Sequence, residues 1–120
     1  MTDYPATVTS VYDGDTLRAD VRVWPGATLD TGVRIRGIDT PELRGKCEAE
    51  KELARQAREI ARQWVKDAGR VVVLRNVKRG KYAGRVVADV VSSDESLADV
   101  LLRNGVARRY GGGKREGWCD

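Results

Sequence analysis

The 120-residue sequence contains no histidine. That absence removes Ser-His-Asp hydrolysis, Cys-His proteolysis, histidine-ligated zinc and every histidine general base. Cysteine is almost as scarce. With only two, an all-cysteine zinc site cannot form within one chain. No apolar run approaches the roughly 18–20 residues that a membrane-spanning helix needs. The start, Met1-Thr2-Asp3-Tyr4-Pro5, lacks the basic residues and apolar stretch of a secretory leader. A chain that had lost its leader would be secreted or periplasmic, and otherwise cytoplasmic. Chemistry here is left to carboxylates, arginines, lysines, hydroxyls or a thiol.

What is present is charge. The formal net charge is +4, and it is uneven: residues 1–69 sum to −1 and residues 70–120 to +5. The stretch Arg70 to Arg85 holds six basic residues and no acid. A basic half suits a phosphate-bearing partner, although a solvated strand-and-turn surface would read the same way. The length fits one domain, 1–120, with a core of its own. Cys47 and Cys119 stand 72 residues apart. A bond between them would pin the C-terminus and require an oxidising compartment; two reduced thiols are the equal alternative.

Thr7 to Tyr12 is rich in β-formers. Thr16 to Trp24 alternates, with Leu17, Ala19, Val21 and Val23 on one face. Pro25-Gly26 signals a turn, and Gly32 to Ile38 reads as a third strand. From Cys47 to Ala68 apolar residues recur at helical steps (Leu53, Ala57, Ile60, Ala61, Trp64, Val65), with acids early, Lys66 late and Gly69 placed as the left-handed cap. Val71 to Val77 and Val86 to Val91 read as two more strands. A short helix follows from Glu95 to Arg103, stopped by Asn104-Gly105. The tail from 111 to 120 is glycine-rich. Five short strands with one long and one short helix suit an all-β barrel with helices, a five-stranded Greek-key barrel of the OB type. An α+β sheet under one helix layer fits the same pattern.

Two acid clusters sit beside turn residues: Asp13-Gly14-Asp15-Thr16 between the first two strands, and Asp39-Thr40-Pro41-Glu42 after the third. Each alone is an ordinary turn composition. Together they end strands of one sheet, with arginines at strand spacing nearby.

The runs Val11-Tyr12-Asp13-Gly14-Asp15-Thr16, Val33-Arg34-Ile35-Arg36-Gly37-Ile38-Asp39-Thr40-Pro41-Glu42 and Lys81-Tyr82-Ala83-Gly84-Arg85 resemble the staphylococcal (thermonuclease) nuclease family. The resemblance extends from about Thr7 to Tyr110. It implies an OB-fold barrel and Ca2+-dependent, sequence-nonspecific hydrolysis of phosphodiester bonds in DNA and RNA; the expected partner is single-stranded or locally open nucleic acid, bound by a monomer without membrane attachment. Asp15, Asp39 and the backbone carbonyl of Thr40 match the family's metal ligands, hard oxygen donors suited to Ca2+. Asp13 matches a nearby acid acting on the site through water. Glu42 matches the general base, and a carboxylate is ionised near neutral pH. Arg34 and Arg85 match the two phosphate-clamping arginines, whose planar forks suit developing charge on phosphate oxygens.

Lys81, Arg36, Tyr82 and Tyr110 are further candidates for substrate contact. The family's Tyr-Gly-Arg run here reads Tyr82-Ala83-Gly84-Arg85. Either the loop bulges around the inserted alanine, or the tyrosine contact is altered. The family prototype carries another helix beyond the equivalent of Tyr110, and this chain is expected to lack it. A Cys47–Cys119 bond would take over that helix's anchoring role.

A rival reading is a non-catalytic OB-fold nucleic-acid-binding module. It gains nothing from carboxylates beside phosphates, which repel them. A structural domain binding a divalent cation would keep the aspartates without needing both arginines.

Overall fold

The computed structural model describes residues 3–81 and 84–119. Its elements in order are β1 (Tyr4–Asp13), β2 (Thr16–Trp24), β3 (Ala27–Ile35), β4 (Ile38–Asp39), α1 (Glu48–Asp67), β5 (Val71–Arg79), β6 (Arg85–Ser92), β7 (Glu95–Ser96), α2 (Leu97–Arg103) and β8 (Arg108–Arg109). The strands β1, β2 and β3 form an antiparallel meander, and β5 pairs antiparallel with both β1 and β6. A parallel pairing of β3 with β6, Gly32 through Ile35 against Arg85 through Ala88, closes the five strands into a barrel. Closure removes the exposed sheet edges that an open version would present. This is the OB-type α+β barrel expected from the strand pattern.

Alternation fills the interior. Val8, Leu17, Ala19, Val33, Ile35, Val72, Leu74, Ala88 and Val90 are buried, and Leu97, Leu101 and Val106 close one end. Helix α1 packs on the barrel through Ala54, Ala57, Ala61 and Val65, small residues that let the helix axis approach closely. Leu53, Ile60 and Trp64 border the core. The helix ends as its sequence requires. Gly69 takes φ +65°, the Arg70 N–H donates to the Val65 carbonyl at 2.9 Å and the Gly69 N–H to the Lys66 carbonyl at 3.0 Å. Those two bonds satisfy carbonyls that the last turn would leave open. Cys47 caps the other end, its Sγ accepting the Glu50 N–H at 3.4 Å.

Three boundaries differ most from the sequence expectation, besides small extensions of β1 back to Tyr4 and of β5 on to Arg79. First, β3 begins at Ala27, five residues early, because the β2–β3 hairpin projects beyond the barrel. There Val23, Trp24 and Leu29 are exposed, so no apolar alternation marks the strand. Second, β3 stops at Ile35. Gly37 (φ +83°) turns the chain, and Ile38–Asp39 forms a separate ribbon with Arg108–Arg109. Third, Glu95–Ser96 is a strand rather than the first turn of α2. Ser93 and Asp94 both have positive φ, the signature of a tight primed hairpin turn, so β7 folds back on β6. Ser96 then caps α2.

Candidate active site

The site sits where the β1–β2 turn, the end of β3 and the segment after β4 meet. The two-residue turn Gly14-Asp15 joins Asp13 to Thr16, which pair across β1 and β2. Gly14 is needed there for space: a Cβ on it would lie 2.8 Å from the Ala57 Cβ and 3.2 Å from the Thr40 Cγ2. The turn therefore rests directly on α1 and on the second acidic segment.

Asp15 is buried at 3 % exposure, and each of its carboxylate oxygens is engaged. Oδ2 accepts from Arg34 Nη1 at 2.9 Å and from the Thr40 N–H at 3.3 Å; Oδ1 accepts from the Thr16 hydroxyl at 3.1 Å. Arg34 also donates through Nη2 to the Ile38 carbonyl at 3.2 Å, and that nitrogen stands 3.9 Å from Asp39 Oδ1. Asp39 is 4 % exposed. Its Oδ2 accepts from Trp118 Nε1 at 3.4 Å. Its Oδ1 receives no directed hydrogen bond, although Arg115 Nη2 lies 2.6 Å away as an ion pair. The Arg115 guanidinium supplies the positive charge that this buried oxygen needs. Asp15 and Asp39, two buried carboxylates bridged by Arg34, and Thr40, whose N–H bonds Asp15, are hard-oxygen residues by chemistry. The residues present thus fit Ca2+, which takes carboxylate and carbonyl oxygens.

Glu42 is half-exposed, and Arg115 Nη1 donates to its Oε1 at 2.9 Å. The backbone around Glu42 is tied down by Glu50, a buried carboxylate of α1. Glu50 Oε2 accepts the Glu42 N–H at 3.2 Å and its Oε1 the Lys46 N–H at 3.0 Å. Asp13 Oδ1 accepts the Leu43 N–H at 3.1 Å. Burial, with Asp15 and Glu42 close by, pushes the Asp13 carboxyl above its ordinary value, against the pull of that N–H. Burial works to lower the Arg115 guanidinium, but its ion pairs with the Asp39 and Glu42 carboxylates prevail and push it up.

Asp13, Asp15, Arg34, Glu42, Lys81, Arg85, Tyr110 and Arg115 line one cavity of about 660 Å³. Among the described residues Arg85 has no ion-pair partner. Tyr110 is held by its N–H on the Gly37 carbonyl at 2.9 Å and its hydroxyl on the Gly113 carbonyl at 2.6 Å. Arg36 is not part of that cavity lining. It pairs with Asp89 at 3.0 Å on the outer face. Tyr82 lies outside the described residues.

Cys47 and Cys119 form a disulfide. It holds the C-terminal segment against the start of α1 and brings in two residues that the motifs do not mark, Arg115 and Trp118. The signal for them lies in the cysteine positions. Glu42 precedes Cys47 by five residues and Arg115 precedes Cys119 by four, so the bond carries Arg115 to the acidic segment. Glu50 was hidden among helix-start acids.

No curated protein matches the chain. A family model does: the one described as staphylococcal nuclease homologue covers residues 32–116, from Gly32 in β3 to Glu116 beside the disulfide. Asp13 and Asp15 precede the matched stretch, but they line one cavity with Arg34 and Glu42, and the chain belongs to that family.

Proposed function

We propose that this protein is a Ca2+-dependent, sequence-nonspecific nuclease that hydrolyses phosphodiester bonds in DNA and RNA. One observation carries the reading: carboxylates and guanidinium groups converge on a single open cavity, acids Asp13, Asp15 and Glu42 against Arg34 and Arg85. A binding module has no use for carboxylates that repel phosphate, and a purely structural cation site has no use for two arginines.

Asp15, Asp39 and the Thr40 carbonyl would hold Ca2+, which when bound polarises the phosphate as a Lewis acid. Arg34 uses two of its five N–H groups on Asp15 and Ile38, leaving the rest for a phosphate. Arg85 approaches from the start of β6. The two forks favour the five-coordinate state, in which charge grows on the non-bridging oxygens, over the ground state. Glu42 accepts the proton of the attacking water as oxygen bonds to phosphorus and the bond to the leaving oxygen breaks. Lys81 and the basic residues between Arg70 and Arg85 would follow the backbone without reading bases. The Cys47–Cys119 bond suits an oxidising compartment, which favours secretion or the periplasm.

The test is hydrolysis of single-stranded DNA and of RNA with Ca2+, with chelator, and with Glu42→Gln. Cleavage that needs Ca2+ and falls steeply in Glu42→Gln supports the reading. Cleavage indifferent to chelator, or none with any divalent metal, overturns it.

A further inference from the structure

The segment after β8 turns back over the site and is fixed there at several points. The Tyr110 N–H bonds the Gly37 carbonyl, and Arg108 Nη1 donates to the Gly117 carbonyl at 2.9 Å. The Arg108 guanidinium also stacks on the Trp118 ring, 3.8 Å from its centroid. Trp118 Nε1 reaches Asp39, and Cys119 is bonded to Cys47. Between these anchors, Arg115 spreads its fork over two carboxylates, Nη2 on Asp39 at 2.6 Å and Nη1 on Glu42 at 2.9 Å. Those two acids are the candidate metal ligand and the candidate base. A segment built to leave the site would not be held on both sides of the residue that covers it.

We infer that Arg115 is a positioning residue for hydrolysis. It links Glu42 to Asp39 so that the half-exposed base keeps one orientation relative to the metal ligands. The inference rests on the nuclease reading above. Glu42 has a fixed backbone, through Glu50, but its side chain meets no other ion-pair partner among the described residues. Without Arg115 the carboxylate would sample several rotamers, and misplacement of a reacting group by about 1 Å can cost on the order of a hundredfold. Lysine cannot replace it, since one ammonium does not fork between two carboxylates. Because Arg115 also occupies Asp39 by ion pairing, removing it frees that ligand for a cation.

The experiment compares wild type, Arg115→Ala and Arg115→Lys in two readouts. One is steady-state cleavage of single-stranded DNA with saturating Ca2+. The other is calorimetric Ca2+ binding without nucleic acid. A positioning role lowers kcat of Arg115→Ala by about tenfold to a hundredfold with KM moved less than about threefold. It also raises Ca2+ affinity severalfold. Arg115→Lys stays low, and guanidinium ion added to Arg115→Ala recovers part of kcat. Loss of activity and of Ca2+ affinity together, without guanidinium rescue, marks a merely structural residue and overturns the inference. So does unchanged or increased kcat, the latter marking Arg115 as a plug. Inactive wild type overturns the nuclease reading itself, whereas active wild type with an equally active Arg115→Ala overturns this inference alone.

Discussion

Arg34 meets Asp15 because of strand register. Thr16 and Arg34 are partners across β2 and β3, so the residue one step before Thr16 lies within reach of the guanidinium, and Nη1 bonds Oδ2 at 2.9 Å. The parallel pairing of β3 with β6 sets Arg34 opposite Val87, two residues from Arg85. One strand thus ties the acidic β1–β2 turn to both arginines.

Arg34→Lys tests that arrangement. Lysine keeps the charge but cannot bond Asp15 and Ile38 at once and still offer a fork to phosphate. The expected result is a fall in kcat/KM of about 10²–10³-fold, as for loss of a transition-state donor. Circular dichroism should remain native, with stability lowered by about 1–3 kcal/mol for the weakened charged hydrogen bond. Single-turnover cleavage and a thermal melt decide it. Activity within tenfold of wild type would place the phosphate clamp elsewhere.

Much of the barrel was legible because its strands obey simple patterning. Leu17, Ala19 and Val21 alternate with charges, and the α1 stripe through Ala57, Ala61 and Val65 has helical spacing. What escaped depends on pairing. The Ala27–Thr31 half of β3 is outside the barrel and has no buried face to announce it, apart from Thr31. Ile38–Asp39 is a strand only because Arg108–Arg109 comes back to it. At the site, Asp13, Asp15, Asp39, Glu42 and the arginines stood out as acids and forks at strand ends. Arg115 did not, since its place is set by a covalent bond between residues 72 positions apart. Gly14 was legible as a turn residue, but its tight approach to Ala57 was not.

Reduction of the disulfide should lower stability and activity together. Closing a loop of this length restricts the unfolded chain, and such a constraint contributes roughly 3–5 kcal/mol. For a domain of this size that corresponds to a Tm lower by about 10 °C or more. The activity loss follows because Arg115 and Trp118 are held over Glu42 and Asp39 by the same bond. Differential scanning fluorimetry with and without reductant, with thiol titration to confirm bond loss, provides the check. An unchanged Tm in the reduced protein would contradict it.

Acid sensitivity has a half-buried contributor away from the site. Burial tends to raise the Asp89 carboxyl, but hydrogen bonds from Arg36 and from Asn76, whose Nδ2 lies 2.6 Å away, hold it below its ordinary value of 3.8. A depressed folded-state value means that the folded chain keeps the carboxylate charged longer than the unfolded chain. The stabilisation is therefore complete above the unfolded value and is lost as pH falls through the folded one. Since Arg36 is half-exposed, solvent screening keeps the contribution below about 1 kcal/mol. Asp89→Asn should be slightly less stable than wild type at pH 6, and urea midpoints of the two should converge once pH has fallen through the depressed folded-state value. A constant gap at all pH values would assign the difference to packing instead.

Gly14→Ala probes the contact between the acidic β1–β2 turn, the candidate metal site, and the helix. The added methyl would stand 2.8 Å from the Ala57 Cβ and 3.2 Å from the Thr40 Cγ2, so either α1 or the Thr40 segment must shift. Overpacking of this kind costs about 1–3 kcal/mol. It should also weaken Ca2+ binding, because Asp15 follows Gly14 directly and Thr40 is one of the residues the methyl would press against. The double variant Gly14→Ala, Ala57→Gly removes the opposing methyl. Glycine inside a helix costs about 1 kcal/mol relative to alanine, so stability should recover only in part. Ca2+ affinity should recover nearly fully, since the turn can return to its place. Calorimetric titration of the single and double variants separates the two effects. Weak Ca2+ binding that persists in the double variant would show that the Thr40 contact, rather than the helix, fixes the turn.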